Sequence, residues 1–184
     1  MATAAEDLIQ NLKALGVEIL TRTEANGDRI RAMAPDAVVL ATGARPSLPP
    51  IAGIEDPRVV QAWDVLGEDP TTLGRRVVIV GGNAVGLETA LYLAGLGTLS
   101  PEVLHFLAAN RAESFETLEP LLNKGVKEVT VVEMAKRVGE NIGASTRWTV
   151  MAELRRLGVT VLTGTKAVGI VPEGLRVEAM DGSG

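Results

Sequence analysis

The sequence has no cysteine among its 184 residues, and this absence excludes several kinds of redox centre. A dithiol pair, a cysteine-ligated iron–sulfur cluster and a thiolate nucleophile all need a cysteine thiol, so this chain forms none of them. The single histidine, His105, has no serine or cysteine partner in a supporting context, and we interpret it as a surface or packing residue. We predict no metal site and no catalytic acid–base group within the chain.

Excess positive charge and long apolar runs are also missing. The formal net charge is −5 and the pI is about 5.0, and the absence of a basic patch argues against nucleic acid as a partner. No apolar run approaches membrane-spanning length, and residues 1–10 lack the basic start and apolar block of a secretory signal. We therefore expect no membrane partner, and a cytoplasmic location fits this composition.

Aromatic residues make up only 3% of the chain. We predict that Trp63 and Trp148 are core or packing residues rather than a stacking platform. Phe106 and Phe115 both fall within residues 98–124, where they could form a partner-docking surface, but we favour their burial against the rest of the fold. The hydrophobic content of 46% supplies ample core for one domain or slightly more.

The most informative stretch runs from residue 76 to residue 94. Residues 76–80 form a short, β-branched apolar segment that is typical of a strand buried on both faces of a parallel sheet. Glycines follow at positions 81, 82 and 86, and the apolar residues beyond them recur at helical spacing. A strand, a glycine turn and a helix in this order place free amides and the positive end of a helix dipole against a diphosphate. The alternative is that the glycines merely join a buried strand to a helix.

The glycine pattern departs from G-x-G-x-x-G, because Asn83 stands where the middle glycine belongs. Asparagine tolerates unusual backbone angles better than most residues, although it carries a side chain. We therefore predict an intact turn with a small shift, or a direct contact of the amide side chain with the phosphate. The predicted diphosphate site consists of Gly81, Gly82, Asn83, Ala84, Val85 and Gly86.

Two acidic residues complete the predicted site. Glu133 ends the second strand, where a carboxylate can accept hydrogen bonds from both ribose hydroxyls of an adenosine and would repel a 2′-phosphate. Lys136 and Arg137 follow closely, so we predict NADH as the favoured nucleotide and leave NADPH open; alternatively, Glu133 is a solvated acid at a strand end. Glu88 lies near the start of the following helix, where it either complements the helix dipole or faces the nicotinamide.

Periodicity and turn residues predict the remaining elements of an α/β, Rossmann-like three-layer fold with a parallel sheet and a β-hairpin. We predict helices over 4–15, 101–109, 113–123 and 145–157, one helical turn over 28–33, and a brief helix through Trp63 and Val65. We predict strands over 17–20, 36–41, 59–60, 128–133 and 159–162, a hairpin of 167–171 with 175–180, and a linker over 68–74.

Several stretches together resemble the FAD-dependent pyridine nucleotide-disulfide oxidoreductases. The closest likeness is to the carboxy-terminal part of the NADH:flavin oxidoreductase/2,4-dienoyl-CoA reductase group. The stretches that carry the resemblance are Asp36–Pro46, Pro49–Ile54, Val77–Glu88, Val129–Glu133 and Gly143–Trp148.

The resemblance implies a division into a partial FAD-binding segment over 1–73 and an NAD(H)-binding domain over 74–184 with a helical insertion at 98–124. It places Thr42 and Gly43 near FAD, and the residues of the glycine turn at the NADH diphosphate. It also implies that Glu88 approaches the nicotinamide and that Glu133 binds the adenosine ribose.

The family's FAD-binding glycine loop and its Gly-Asp flavin motif do not occur here, so the sequence resembles an excised piece of a larger enzyme. We expect the chain to be the NADH-binding portion of a flavoprotein that passes hydride from NADH to FAD. We also expect it to be inactive by itself, and a homo-oligomer is an open alternative. Two alternatives lack catalysis: a stand-alone NAD or adenosine sensor, and a module whose inserted helices dock a partner.

Overall fold

The computed structural model describes residues 3–67 and 73–180. The chain divides into two compact units, residues 1–44 and residues 45–184. Most of the predicted linker over 68–74 lies outside the described residues. None of the described helices is long and apolar enough to cross a membrane.

The first unit contains two helices with good N-terminal caps, α1 (Ala4–Ala14) and α2 (Gly27–Ala32). The Thr3 hydroxyl accepts a hydrogen bond from the Glu6 amide at 3.3 Å, and the Glu6 carboxylate accepts one from the Thr3 amide at 2.6 Å. This reciprocal capping box fixes the start of α1. The helix ends before Gly16, whose φ of +71° suits glycine, as the sequence predicts.

The strands predicted over 17–20 and 36–41 are absent from this unit, so both predictions are wrong. Val39 is 88% exposed, although its neighbourhood reads as a buried strand. A strand needs a neighbouring strand to satisfy its backbone hydrogen bonds, and residues 3–44 contain no strand to supply them. The apolar face of α1 is exposed as well.

The second unit is built on a parallel sheet, as predicted, but its first strand is not buried on both faces: Ile79 is buried, whereas Val78 and Val80 on the opposite face are about half exposed. Its three strands lie in the order β1-β2-β3, with Val78 of β1 opposite Thr130 of β2 and Val131 of β2 opposite Val161 of β3. The strands are β1 (Arg76–Val80), β2 (Glu128–Val132) and β3 (Thr160–Leu162). The helices of this unit are α3 (Ala62–Gly67), α4 (Ala84–Gly95), α5 (Pro101–Ala109), α6 (Phe115–Asn123) and α7 (Ala144–Arg156).

The core of this unit lies between the parallel sheet and helices α4 and α7. Leu87 and Leu93 of α4, Val131 of β2 and Leu154 of α7 are almost completely buried. Full burial of one such side chain stabilises the fold by roughly 1.5–3 kcal/mol. The core therefore anchors α4, and with it the turn that precedes the helix.

Helices α5 and α6 form at the predicted positions, each capped by a serine. The Ser100 and Ser114 hydroxyls accept hydrogen bonds from the amides of Val103 and Thr117. The prediction that their phenylalanines are buried is wrong: α5 buries no residue, and α6 buries only Leu118. The exposed fractions are 63% for Phe106 and 65% for Phe115. Those of Trp63 and Trp148 are 48% and 68%, so neither tryptophan is a core residue.

A β-hairpin of β4 (Thr165–Val171) and β5 (Gly174–Ala179) follows the parallel sheet, as predicted. The Arg58 guanidinium pairs with Asp56 and donates to the carbonyls of Val171 and Pro172 at 2.9 and 2.8 Å. The Ile170 amide also donates to the Ala52 carbonyl at 2.7 Å.

Residues upstream of the parallel sheet therefore belong to the same compact unit as the hairpin. The strand predicted at 59–60 does not form. The assignment of 1–73 and 74–184 to two cofactor domains stays a prediction.

Candidate functional site

The glycine turn (residues 81–86) joins the carboxyl end of β1 to the start of α4, and its first residue depends on being glycine. Gly81 has a φ of +104°, which side chains rarely tolerate, and its amide donates to the Val132 carbonyl at 2.9 Å. A Cβ on Gly86 would lie 2.0 Å from the Gly81 carbonyl oxygen. The last glycine thus permits the first turn of α4 to pack directly against the strand end.

Gly82 is buried and held from both sides. Its amide donates to Glu133 Oε2 at 2.6 Å, and its carbonyl accepts from the Gly139 amide at 2.7 Å. A Cβ on Gly82 would lie 2.4 Å from Val138 Cγ1. The second position of the turn therefore needs glycine because the loop after β2 passes directly over it.

Asn83 occupies the middle position without strain. Its φ of −90° and ψ of −172° are extended angles that any residue adopts, and the residue is the exposed N-cap of α4. Its side chain makes no capping hydrogen bond. The departure from the glycine pattern thus leaves the turn intact, as the sequence predicts, and the proposed phosphate contact of this amide stays a prediction.

The amides of residues 83–86 lie at the start of α4, and no described residue accepts a hydrogen bond from them. Ala84 and Val85 are the first two helical residues, and Val85 is exposed. Free amides at the positive end of a helix dipole bind anions. A Cβ on Gly81 would meet no atom within 4 Å, so the backbone beside these amides is open to a ligand.

Glu133 lies directly after β2 at the same edge of the sheet, and it is only 9% exposed. Oε2 accepts from Gly82 as described, and Oε1 accepts from the Ala135 amide at 2.8 Å. Its own amide donates to Leu162 and its carbonyl accepts from Thr165. The residue is therefore not the solvated acid of the alternative interpretation. Each carboxylate oxygen retains capacity for a second hydrogen bond, which a ribose hydroxyl could donate.

The other predicted residues are exposed. Glu88 is the fifth residue of α4 and so lies in its second turn, not near the helix start as the sequence suggests. Its interaction with the helix dipole is weaker there, because that interaction falls off within the first turn. Lys136 and Arg137 lie exposed in the loop after Glu133. In the first unit, Thr42 and Gly43 are exposed and irregular in backbone conformation. The structure therefore brings the glycine turn and Glu133 together, and the roles of the other residues stay predictions.

Sequence reasoning missed the contribution of Val138 and Gly139. Val138 is buried at 3% exposure against the glycine turn, and Gly139 has a φ of +67° that lets the chain bend back to Gly82. A glycine shortly after the acidic strand end is the only local signal of this turn. The contact itself joins residues 57 positions apart, so it is a product of tertiary packing.

A cavity of about 390 Å³ lies elsewhere in the second unit, along the free edge of β1 and beside residues 47–65 and the hairpin. None of the predicted cofactor residues lines it. Within the part of the chain that the structure describes, no group of three or more histidine, aspartate or glutamate residues could hold a metal ion.

Comparison with known proteins gives relatives that are much longer than this chain. It is 44% identical over 175 residues to a metal reductase of Desulforamulus reducens, covering 93% of the chain and 26% of the relative. It is 33% identical to an NADH oxidase of Thermoanaerobacter brockii, covering 93% of the chain and 22% of the relative. The chain thus spans about a quarter of the length of these relatives.

A solved structure of 2-naphthoyl-CoA reductase with 2-naphthoyl-CoA superimposes with a TM-score of 0.62 at 27% identity, over 95% of this chain and 22% of that one. This similarity confirms the Rossmann-like α/β class. Residues 3–184 match the family described as pyridine nucleotide-disulphide oxidoreductase, in agreement with the resemblance seen in the sequence. Because this match covers nearly the whole chain, the protein belongs to the pyridine nucleotide-disulphide oxidoreductase family.

Proposed function

We propose that this chain is the NADH-binding portion of a flavoprotein oxidoreductase that passes hydride from NADH to FAD. The observation that carries the proposal is the open row of amides at residues 83–86 beside the buried carboxylate of Glu133. This combination offers an anion site and a ribose acceptor at one edge of a parallel sheet. Membership of the pyridine nucleotide-disulphide oxidoreductase family supports the same reading.

Each part of the nucleotide has a candidate partner. The amides of residues 83–86 would hold the diphosphate, and the absence of side chains at Gly81 leaves room for it. Glu133 would accept hydrogen bonds from the adenosine ribose. Glu88, on the exposed side of α4, would approach the nicotinamide end, and Thr42 with Gly43 would lie near FAD. FAD, when bound, would supply the hydride acceptor, and the protein's contribution is placement and electrostatics.

NADH is the favoured nucleotide because Glu133 would present its carboxylate to the adenosine ribose. A 2′-phosphate would bring two further negative charges towards it, in a partly desolvated site where like charges repel more strongly than in water. Lys136 and Arg137 are exposed nearby in sequence and would offset part of this repulsion. We expect discrimination in favour of NADH rather than complete exclusion of NADPH.

The remaining three quarters of a relative's length would have to supply what this chain does not carry, including the FAD diphosphate site and the electron acceptor. We therefore expect the 184-residue chain to bind NADH weakly, to retain no FAD and to show no oxidoreductase activity. A cytoplasmic location and self-association are further predictions.

The proposal is tested by recording amide NMR spectra of the 15N-labelled chain with millimolar NADH. This concentration detects weak binding with a Kd of about 1 mM, which corresponds to a binding free energy near −4 kcal/mol. We expect shifts concentrated in residues 81–86 and around Glu133. NADH that leaves these amides unchanged would refute the proposal, as would a stoichiometric flavin that remains bound through purification.

A further inference from the structure

We infer that Glu133 is a positioning residue that holds the glycine turn in its diphosphate-binding conformation, in addition to any contact with the ribose. The inference rests on the proposed function and deepens it. It predicts that the two ends of the nucleotide site are coupled through one carboxylate.

The geometry around Glu133 supports this role. Oε2 accepts from the Gly82 amide at 2.6 Å and Oε1 from the Ala135 amide at 2.8 Å, in a residue that is only 9% exposed. Hydrogen bonds to a charged acceptor are shorter and about twice as strong as neutral ones. The carboxylate therefore ties the glycine turn to the loop after β2, across 51 positions of sequence.

Gly82 depends on this bond, because its amide has no other acceptor among the described residues. A buried amide without a partner is costly, so the peptide would reorient if the carboxylate were removed. The carbonyl of Gly82 is fixed by Gly139, and Val138 closes the space around its Cα. The Gly82 amide belongs to the peptide between Gly81 and Gly82, which directly precedes the amides of residues 83–86, so a rotation of that peptide would displace the row.

A ribose contact and a positioning role make different predictions for a ligand without ribose hydroxyls. If Glu133 only binds ribose, its replacement weakens the binding of nucleotides that carry those hydroxyls and leaves the binding of the others unchanged. If Glu133 positions the turn, its replacement weakens every ligand that places a diphosphate on residues 83–86, whatever its sugar.

The experiment measures binding of ADP and of 2′,3′-dideoxyadenosine 5′-diphosphate by NMR titration of the 184-residue chain. Glu133→Gln leaves one of the two backbone amides facing an NH₂ group that cannot accept a hydrogen bond. We expect both ligands to weaken about tenfold, a change of ~1.4 kcal/mol. The matched control is Glu128→Gln, at the exposed opposite end of β2, which should leave both affinities unchanged.

The inference is overturned if the Glu133→Gln variant binds ADP more weakly than the unsubstituted protein but binds the dideoxy analogue equally tightly. In that case the proposed function still stands. If the unsubstituted protein binds neither ligand, the proposed function fails and the inference with it. If Glu133→Gln does not fold, Glu133→Asp is the second variant, because it keeps the charge on a side chain that is too short for both hydrogen bonds. We expect this variant to bind both ligands more weakly and its Gly82 amide resonance to move.

Discussion

Replacing Gly86 by alanine probes the close approach of α4 to the end of β1. The added Cβ would lie 2.0 Å from the Gly81 carbonyl oxygen, where ordinary contacts begin near 3.4 Å, so the two backbones must separate by about 1.4 Å. Overpacking of this kind costs about 1–3 kcal/mol, and we take the upper end because the obstacle is backbone rather than a flexible side chain. The better helix propensity of alanine returns ~1 kcal/mol. We expect a net loss of about 2 kcal/mol, and displaced amides at residues 83–86.

The measurements are urea and thermal unfolding together with titration of ADP. A loss of about 2 kcal/mol lowers the Tm of a chain of this size by roughly 4–8 °C. The matched control is Gly95→Ala at the other end of α4, where a Cβ meets no atom within 4 Å and the φ is not positive. That variant should be as stable as the unsubstituted protein or more stable by up to ~1 kcal/mol. If Gly86→Ala matched Gly95→Ala in both stability and ADP affinity, the reasoning about the glycine turn would be wrong.

Three further predictions concern the fold. Leu87→Ala should reduce the free energy of unfolding by about 2–5 kcal/mol in urea, whereas the exposed Leu121→Ala should change it by less than ~1 kcal/mol; equal effects would contradict the proposed core. Ser114→Ala should cost ~1 kcal/mol through the lost N-cap of α6, with Ser114→Asp restoring it, and an unchanged Tm for the alanine variant would argue against the cap. The hydrogen bonds from Arg58 lower the pKa of Asp56 from 3.8 to about 2, so the stabilisation is present above pH 4 and is lost as the pH falls towards 2. Asp56→Asn should therefore make the Tm depend less on pH between 4 and 2, and a steeper dependence in that variant would contradict the pairing.

Local signals were sufficient where a structural element is specified by neighbouring residues. The change from β-branched residues to glycines and then to helical spacing predicted β1, the glycine turn and α4, because each choice depends on backbone preferences within a few residues. The same holds for α5, which begins after a serine cap and at a proline, and for the hairpin, whose turn contains proline and glycine.

Local signals failed where burial depends on a partner distant in sequence. Residues 36–41 have the composition of an interior strand, yet they form none, because residues 3–44, the described part of this unit, contain no other strand. Phe106 and Phe115 are apolar but exposed, since α5 buries no residue and α6 buries only Leu118. Hydrophobicity indicates that burial would be favourable, and only the packed chain decides whether a surface is there to bury against.

The sequence by itself determined the strand, the glycines and the acid at the end of the second strand, because these follow from local conformational preference. Only the tertiary structure decided that Glu133 turns inwards to the Gly82 amide and that Val138 closes over the same glycine. Hydrogen bonds and close contacts between residues more than 50 positions apart arise when β1 and β2 pair in parallel, since that pairing brings both carboxyl ends to one edge of the sheet.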